Sequence, residues 1–194
     1  MDSVLWSTML PLRFMRARSS LSASRSTRNL LMARDFSSLA KTILEECRRR
    51  ALKLATAESC TGGMVVAALT DIAGSSEAVE RGFVTYSNEA KTELLGVHAG
   101  LIASYGAVSA EVAAAMAEGA VSHAPVDLAV SITGIAGPGG ATPTKPVGLV
   151  YFGVLRKGRA VKTERHVFPG DRAAVREAAT QRALELLLEA ARGA

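Results

Sequence analysis

Three stretches of the chain set reactive side chains among glycines and small polar residues. In Ala57-Glu58-Ser59-Cys60-Thr61-Gly62-Gly63, a hydroxyl and a thiol stand where a strand pattern gives way to a helix pattern. Such a corner holds a side chain above the sheet edge and aims free backbone N–H groups at it. An oxyanion forming on a substrate carbonyl could use those donors, with Ser59 as the candidate nucleophile and Cys60 and Thr61 beside it. The same residues also read as a Ser/Thr helix cap with glycines for close packing. Cys60 has no evident partner base and reads as a small buried residue.

The second stretch is Gly82-Phe83-Val84-Thr85-Tyr86-Ser87-Asn88-Glu89-Ala90-Lys91. Lys91 falls in the first turn of a helix that Asn88 would cap, where the positive end of the helix dipole disfavours a cation. Bringing a lysine of pKa roughly 10.4 to the neutral amine at pH 7 costs about 4.6 kcal/mol. The dipole supplies about 0.3–1 kcal/mol of this, so burial must provide most of the remainder. A neutral Lys91 could take the Ser59 proton; the alternative is a solvated surface lysine. Tyr86 reads either as a core aromatic or as a hydroxyl relaying a proton between the two.

The third stretch runs from Thr133 through Gly134, Gly137, Gly139, Gly140 and Lys145 to Pro146. It follows an apolar strand, where α/β sheets place their ligand crevices. Its four glycines let the backbone approach an anion, and Lys145 could add charge. With Cys60, Thr61, Gly62 and Gly63, these residues form the candidate substrate-binding set. The glycine spacing matches neither a Walker loop nor the dinucleotide fingerprint, and a flexible surface loop is the competing reading. His98, His123 and His166 stand in no polar motif, which argues against a Ser-His-Asp triad.

The elements that must position these residues alternate along the chain. A helix capped near Ser37 and ending at Arg48-Arg49-Arg50 precedes a strand over 52–57 and a helix over 62–69. A strand over 81–86, the helix to Leu95, an alanine-rich helix from Ser109 to about His123 and a strand over 128–133 follow. Strands over 147–155 and 161–167 turn at Lys157-Gly158-Arg159, and Asp171 caps a last helix with Ala174, Val175, Ala178, Leu184, Leu187 and Leu188 on its buried side. The order predicts an α/β fold, a three-layer α/β/α sandwich around a mixed, mostly parallel sheet.

Charge and composition bound the function. The 194 residues carry a net +5, but the six arginines and single aspartate of residues 1–34 account for all of it. Residues 35–194 hold 17 basic and 17 acidic side chains and are neutral, which is not the clustered excess that nucleic-acid binding needs. No window approaches the roughly 20 apolar residues of a membrane span. Two cysteines without metal-ligand spacing suit a reducing compartment. Residues 1–34 read as an unfolded extension or a start placed too early, Met32 standing just before the ordered pattern. Their Arg/Ser-rich, acid-poor composition also suits a mitochondrial transit segment. The expected compartment is therefore the cytoplasm, or the mitochondrion if the leader is genuine. The helix over 109–123 could pack on a second copy as readily as internally, allowing a homo-oligomer.

Taken in order, the Ala57–Gly63 motif, Asp71-Ile72-Ala73-Gly74-Ser75-Ser76, Arg81 through Lys91, Ser131 through Pro138 and Lys145-Pro146-Val147-Gly148 resemble one family. It is that of the nicotinamide-nucleotide amidohydrolases, or CinA C-terminal domains, and the likeness runs from about Phe36 to the C-terminus. The resemblance implies hydrolysis of nicotinamide mononucleotide to nicotinate mononucleotide and ammonia, a salvage step, without metal or cofactor. It implies a Ser/Tyr/Lys set, carried here by Ser59, Tyr86 and Lys91. The expected partner is a small nucleotide substrate, with no nucleic acid and no membrane. Two other readings remain: an inactive nucleotide-binding module, and a serine amidase with another substrate.

Overall fold

The computed structural model describes residues 35–193; the segment 1–34 lies outside the described residues. The chain runs α1 (Ser37–Arg49), β1 (Leu54–Glu58), α2 (Met64–Thr70), β2 (Val79–Val84), α3 (Asn88–Leu95), α4 (Ala99–Tyr105), α5 (Ala110–Ser122), β3 (Leu128–Gly134), β4 (Leu149–Arg156), β5 (Lys162–Val167) and α6 (Arg172–Arg192). The strands form one sheet in the order β2-β1-β3-β4-β5. β1 pairs in parallel with β2 and β3, while β4 runs antiparallel to both β3 and β5. Four strands thus point one way and β4 alone is reversed, which is the mixed α/β arrangement expected.

The two faces of the sheet are built differently. Leu54, Leu128, Val130, Ile132, Val150 and Phe152 point to the layer of α1, α2 and α6, where Ile43, Leu44, Leu184 and Leu187 meet them. Burying each such side chain contributes about 1.5–3 kcal/mol. Ala55, Ala57 and Ala129 point to the layer of α3, α4 and α5. These small residues let the alanine-rich α5 lie close to the sheet. Its approach is tightest at Gly153, where a Cβ would sit 2.4 Å from the Ala113 carbonyl oxygen.

Several boundaries differ from the sequence reading, each for a local reason. β1 starts at Leu54 rather than 52 because the Leu52 N–H closes the end of α1 on the Cys47 carbonyl at 2.9 Å. α2 starts at Met64, since Gly62 and Gly63 take left-handed φ of +60° and +95°. Ser87, not Asn88, caps α3 by accepting the Ala90 N–H. At α1 the Ser37 N–H donates to Asp35 Oδ1, and no side chain caps from within. α4 is a helix where a connection was expected, with the His98 ring accepting the Gly100 N–H at its start. On α6, Ala174 is exposed, while Val175, Ala179, Ala183, Leu184 and Leu187 form the buried stripe. Among the described residues no helix is long and apolar enough to cross a membrane.

From β1 the chain leaves over one face through α2 to the edge strand β2, then returns over the other face through α3, α4 and α5 to β3. Connections from the neighbouring strands β1 and β3 therefore diverge at their C-terminal ends. A crevice opens at such a switch point, and Ser59 and Gly134 stand at its two sides.

Candidate active site

Ser59 follows the last residue of β1, and its N–H donates to the Ile132 carbonyl of β3 at 2.9 Å. Lys91 is the fourth residue of α3, on the segment that leaves β2. Thirty-two positions apart in sequence, the two meet: Lys91 Nζ lies 3.2 Å from Ser59 Oγ. Ser59 is 8% exposed and Lys91 1%. The amine also donates to the carbonyls of Thr85 at 2.9 Å, Ser87 at 3.3 Å and Tyr86 at 3.4 Å. These carbonyls belong to the turn between β2 and α3, so the cap at Ser87 fixes both the helix start and the seat of the amine.

Burial pushes the Lys91 pKa below the ordinary lysine value, against a rise from the charges of Cys60 and Glu89. Burial also drives the Cys60 thiol up to about 12. At neutral pH that thiol is uncharged, so its contribution to holding a proton on Lys91 is absent. An amine that has given up its proton has two N–H donors for these three carbonyls and a lone pair free for the Ser59 hydroxyl. Cys60 itself is 6% exposed, a protonated thiol with the small buried role expected of it.

The start of α2, where Gly62 and Gly63 were expected to help bind substrate, is largely occupied from within. Glu58, fully buried, accepts the N–H groups of Gly63, Val65 and Val66, so these donors are taken by an internal carboxylate. Gly62 donates to the Ser59 carbonyl. Among the described residues the N–H groups of Cys60 and Thr61 donate to no main-chain carbonyl, the Cys60 N–H lying against its own thiol, and they remain the donors nearest in sequence to the serine. The Thr61 hydroxyl is buried without a partner. Arg176 of α6 grips the outside of this turn through the Cys60 and Thr61 carbonyls.

A cavity of about 190 Å³ opens over the pair, lined by Ser59, Cys60, Lys91, Thr133, Gly134 and Arg172 with Tyr86, Asn88, Ala107, Val108 and Ala136. Thr133 donates its hydroxyl to the Ala107 carbonyl and so holds this wall in place. Gly134 is small for packing: a Cβ would sit 2.8 Å from the Leu149 oxygen and 3.1 Å from Cys60 Sγ. The glycine loop divides. Gly137 lines an adjoining hollow of about 670 Å³, whereas Gly139, Gly140 and Lys145 line neither space. The Lys145 ammonium is committed to the carbonyls of Tyr105 and Val108 at 2.7 and 2.8 Å. It braces the α4–α5 junction.

Tyr86 lines the cavity but is 63% exposed. Its hydroxyl accepts from Arg172 Nη2 at 3.3 Å, and it touches Lys91 through its main-chain carbonyl. The direct serine–lysine contact is thus the formed one, with the tyrosine hydroxyl standing off at the mouth. Arg172 was not legible as a site residue. It bonds the Gly137 carbonyl at 3.0 Å and faces both the cavity and the hollow. One signal existed: α6 opens with Arg172 and Arg176 and no acidic residue in its first turn, the reverse of what a helix dipole favours. No histidine lines the cavity. Among the described residues no cluster of three His, Cys, Asp or Glu could hold a metal.

Residues 36–191 match the model of the CinA C-terminal domain. A CinA-like protein of Akkermansia muciniphila is 48% identical over 80% of this chain, and the chain spans only 37% of that relative's length. The nicotinamide-nucleotide amidohydrolase PncC of Escherichia coli K12 is 50% identical over 150 residues, which cover 77% of this chain and 90% of the relative. Among solved structures, the competence/damage inducible protein CihA from Agrobacterium tumefaciens superposes with a TM-score of 0.79 at 43% identity, over 81% of this chain and 96% of its own.

Proposed function

The chain belongs to the CinA C-terminal domain family, and from that premise we propose that residues 35–194 form one amidohydrolase domain that cuts the carboxamide of nicotinamide mononucleotide. The products are nicotinate mononucleotide and ammonia. One observation carries this reading: a buried lysine amine in hydrogen-bond contact with a buried serine hydroxyl, 3.2 Å apart, at the switch point of an α/β sheet. The relative of E. coli named for this activity, which the chain nearly spans, supports the substrate class.

Neutral Lys91 takes the Ser59 proton as Oγ attacks the carboxamide carbon. The N–H groups of Cys60 and Thr61, which serve no main-chain carbonyl, receive the oxyanion. The protonated lysine returns its proton to the departing nitrogen, ammonia leaves, and Ser59 carries the nicotinoyl group as an ester. Water, deprotonated by the same amine, attacks that ester and frees the nicotinate with Ser59 restored.

The cavity of about 190 Å³ is smaller than the ~300–1,000 Å³ that whole ligands of drug size occupy. It suits the ring and its carboxamide, and the rest of the nucleotide extends past Tyr86 and Arg172 into the adjoining hollow. Arg172 has N–H groups beyond those used on Gly137 and Tyr86, and a guanidinium recognises phosphate by paired hydrogen bonds. Ammonia release from the mononucleotide and from its unphosphorylated riboside tests the proposal. Turnover of the mononucleotide well above the riboside is expected. Equal rates point to a general serine amidase, and thermal stabilisation by the mononucleotide without turnover points to a binding module.

A further inference from the structure

Glu58 takes no part in the chemistry above, yet no other acidic side chain among the described residues is fully buried. Its carboxylate is held without an ion pair. Thr56 Oγ1 and the Val66 N–H donate to Oε1 at 3.1 and 2.9 Å. The Gly63 and Val65 N–H groups donate to Oε2 at 2.9 and 3.1 Å. Three of the four donors are main-chain groups at the start of α2, the end of a helix that attracts negative charge. The carboxylate thereby closes the far end of the turn 59–63.

The main chain of the same residue reaches the other half of the site. The Glu58 carbonyl accepts the Thr85 N–H at 2.8 Å, and the Thr85 carbonyl is the nearest acceptor of Lys91 Nζ, at 2.9 Å. Ser59 is the next residue along. Glu58 thus connects the nucleophile's turn, through its side chain, with the lysine's anchor, through its backbone. We infer that Glu58 is a positioning residue whose carboxylate, seated on the first turn of α2, holds Ser59 Oγ at hydrogen-bonding distance from Lys91 Nζ. The inference rests on the serine–lysine reading of the site. It also accounts for why α2 is closed to a substrate phosphate: the helix start is occupied by the group that sets the nucleophile.

The test is Glu58→Gln, which keeps the volume and turns one oxygen into an NH₂. Either orientation sets a donor against a main-chain N–H, that of Val66 or those of Gly63 and Val65. With thermal melts confirming a folded variant, kcat for ammonia release is expected to fall about 10- to 100-fold with KM within about threefold, as misplacement of a reacting group requires. A kcat within about threefold of wild type overturns the inference, because a purely structural role lowers the melting temperature and leaves turnover per folded molecule intact. If Glu58→Gln does not fold, Thr56→Val deletes only the hydroxyl bond. A kcat lowered about threefold or more at unchanged KM supports positioning, and wild-type kcat overturns it.

A wild-type protein that releases no ammonia from nicotinamide mononucleotide sinks the substrate, not this inference. The same variants are then compared by the rate at which phenylmethylsulfonyl fluoride modifies Ser59, followed by mass spectrometry with Ser59→Ala as control. Modification slowed about tenfold supports positioning, and equal rates overturn it.

Discussion

Replacing Lys91 with methionine deletes the amine and keeps an unbranched apolar stem, and two opposing effects set the outcome. Wild type must bury the amine, and burial has lowered its pKa from 10.5. The variant escapes that cost but strands the carbonyl of Thr85, a fully buried residue whose partner at 2.9 Å is lost; an unpaired buried acceptor costs about 1–3 kcal/mol. The Ser87 carbonyl keeps the main-chain N–H of residue 91, and the Tyr86 carbonyl belongs to an exposed residue. Only the first effect depends on pH. Between the lowered folded-state pKa and 10.5 the unfolded chain binds more protons than the folded one, so wild-type stability climbs with pH, at most about 1.4 kcal/mol per unit. The penalty is complete below that window and gone above it, and Lys91→Met has no such titration. Urea unfolding of both proteins from about pH 6 to about pH 10 should therefore favour the variant most at the acid end and progressively less towards the alkaline end. Near pH 7 a neutral amine costs the wild type about 4.6 kcal/mol against about 1–3 kcal/mol for the stranded carbonyl. The variant should therefore be the more stable by about 2–4 kcal/mol, while ammonia release falls about 10²–10⁴-fold. Stability curves that stay parallel over the whole range would show an amine titrating as a solvated lysine, and the case for a neutral base would fail.

Tyr86→Phe removes a hydroxyl whose contact is with Arg172, so kcat should change less than about tenfold; a loss of about 10²-fold or more would restore the tyrosine as the proton relay. Arg172→Ala should raise KM for the mononucleotide about 10- to 100-fold, the value of a charged hydrogen bond, and leave the riboside unaffected; equal losses on both would remove the arginine from phosphate recognition. Gly153→Ala would place a Cβ 2.4 Å from the Ala113 carbonyl oxygen and should destabilise by about 1–3 kcal/mol in urea unfolding; an unchanged midpoint would show that α5 is free to shift.

Much of the site is written in contiguous sequence because its two principal elements are turns. A serine before paired glycines at a strand-to-helix junction is visible without coordinates, as is a lysine one turn past a cap. Their meeting is not visible, since it depends on β1 and β2 pairing in register, Glu58 beside Val84. Arg172 escaped for the same reason: it approaches Tyr86 from 86 positions away, and the basic start of its helix does not say what it meets. The hold of Glu58 on the first turn of α2 was not legible either, because the sequence does not say which side chain reaches those N–H groups. Nor was the seat of Lys145, whose ammonium donates to two carbonyls of the α4–α5 junction. α4 itself was missed because seven residues with a glycine at the second position carry too little periodicity to stand out from a loop.

The central claim is that Ser59 and Lys91 act as one chemical unit. Ammonia release from nicotinamide mononucleotide by wild type, Ser59→Ala, Lys91→Ala and the double variant measures this directly. Each single change should cost at least about 10²-fold, and the double variant should be no slower than the worse single one, as for residues that share one step. Ser59→Ala turning over at the wild-type rate, or losses that multiply in the double variant, would contradict the account.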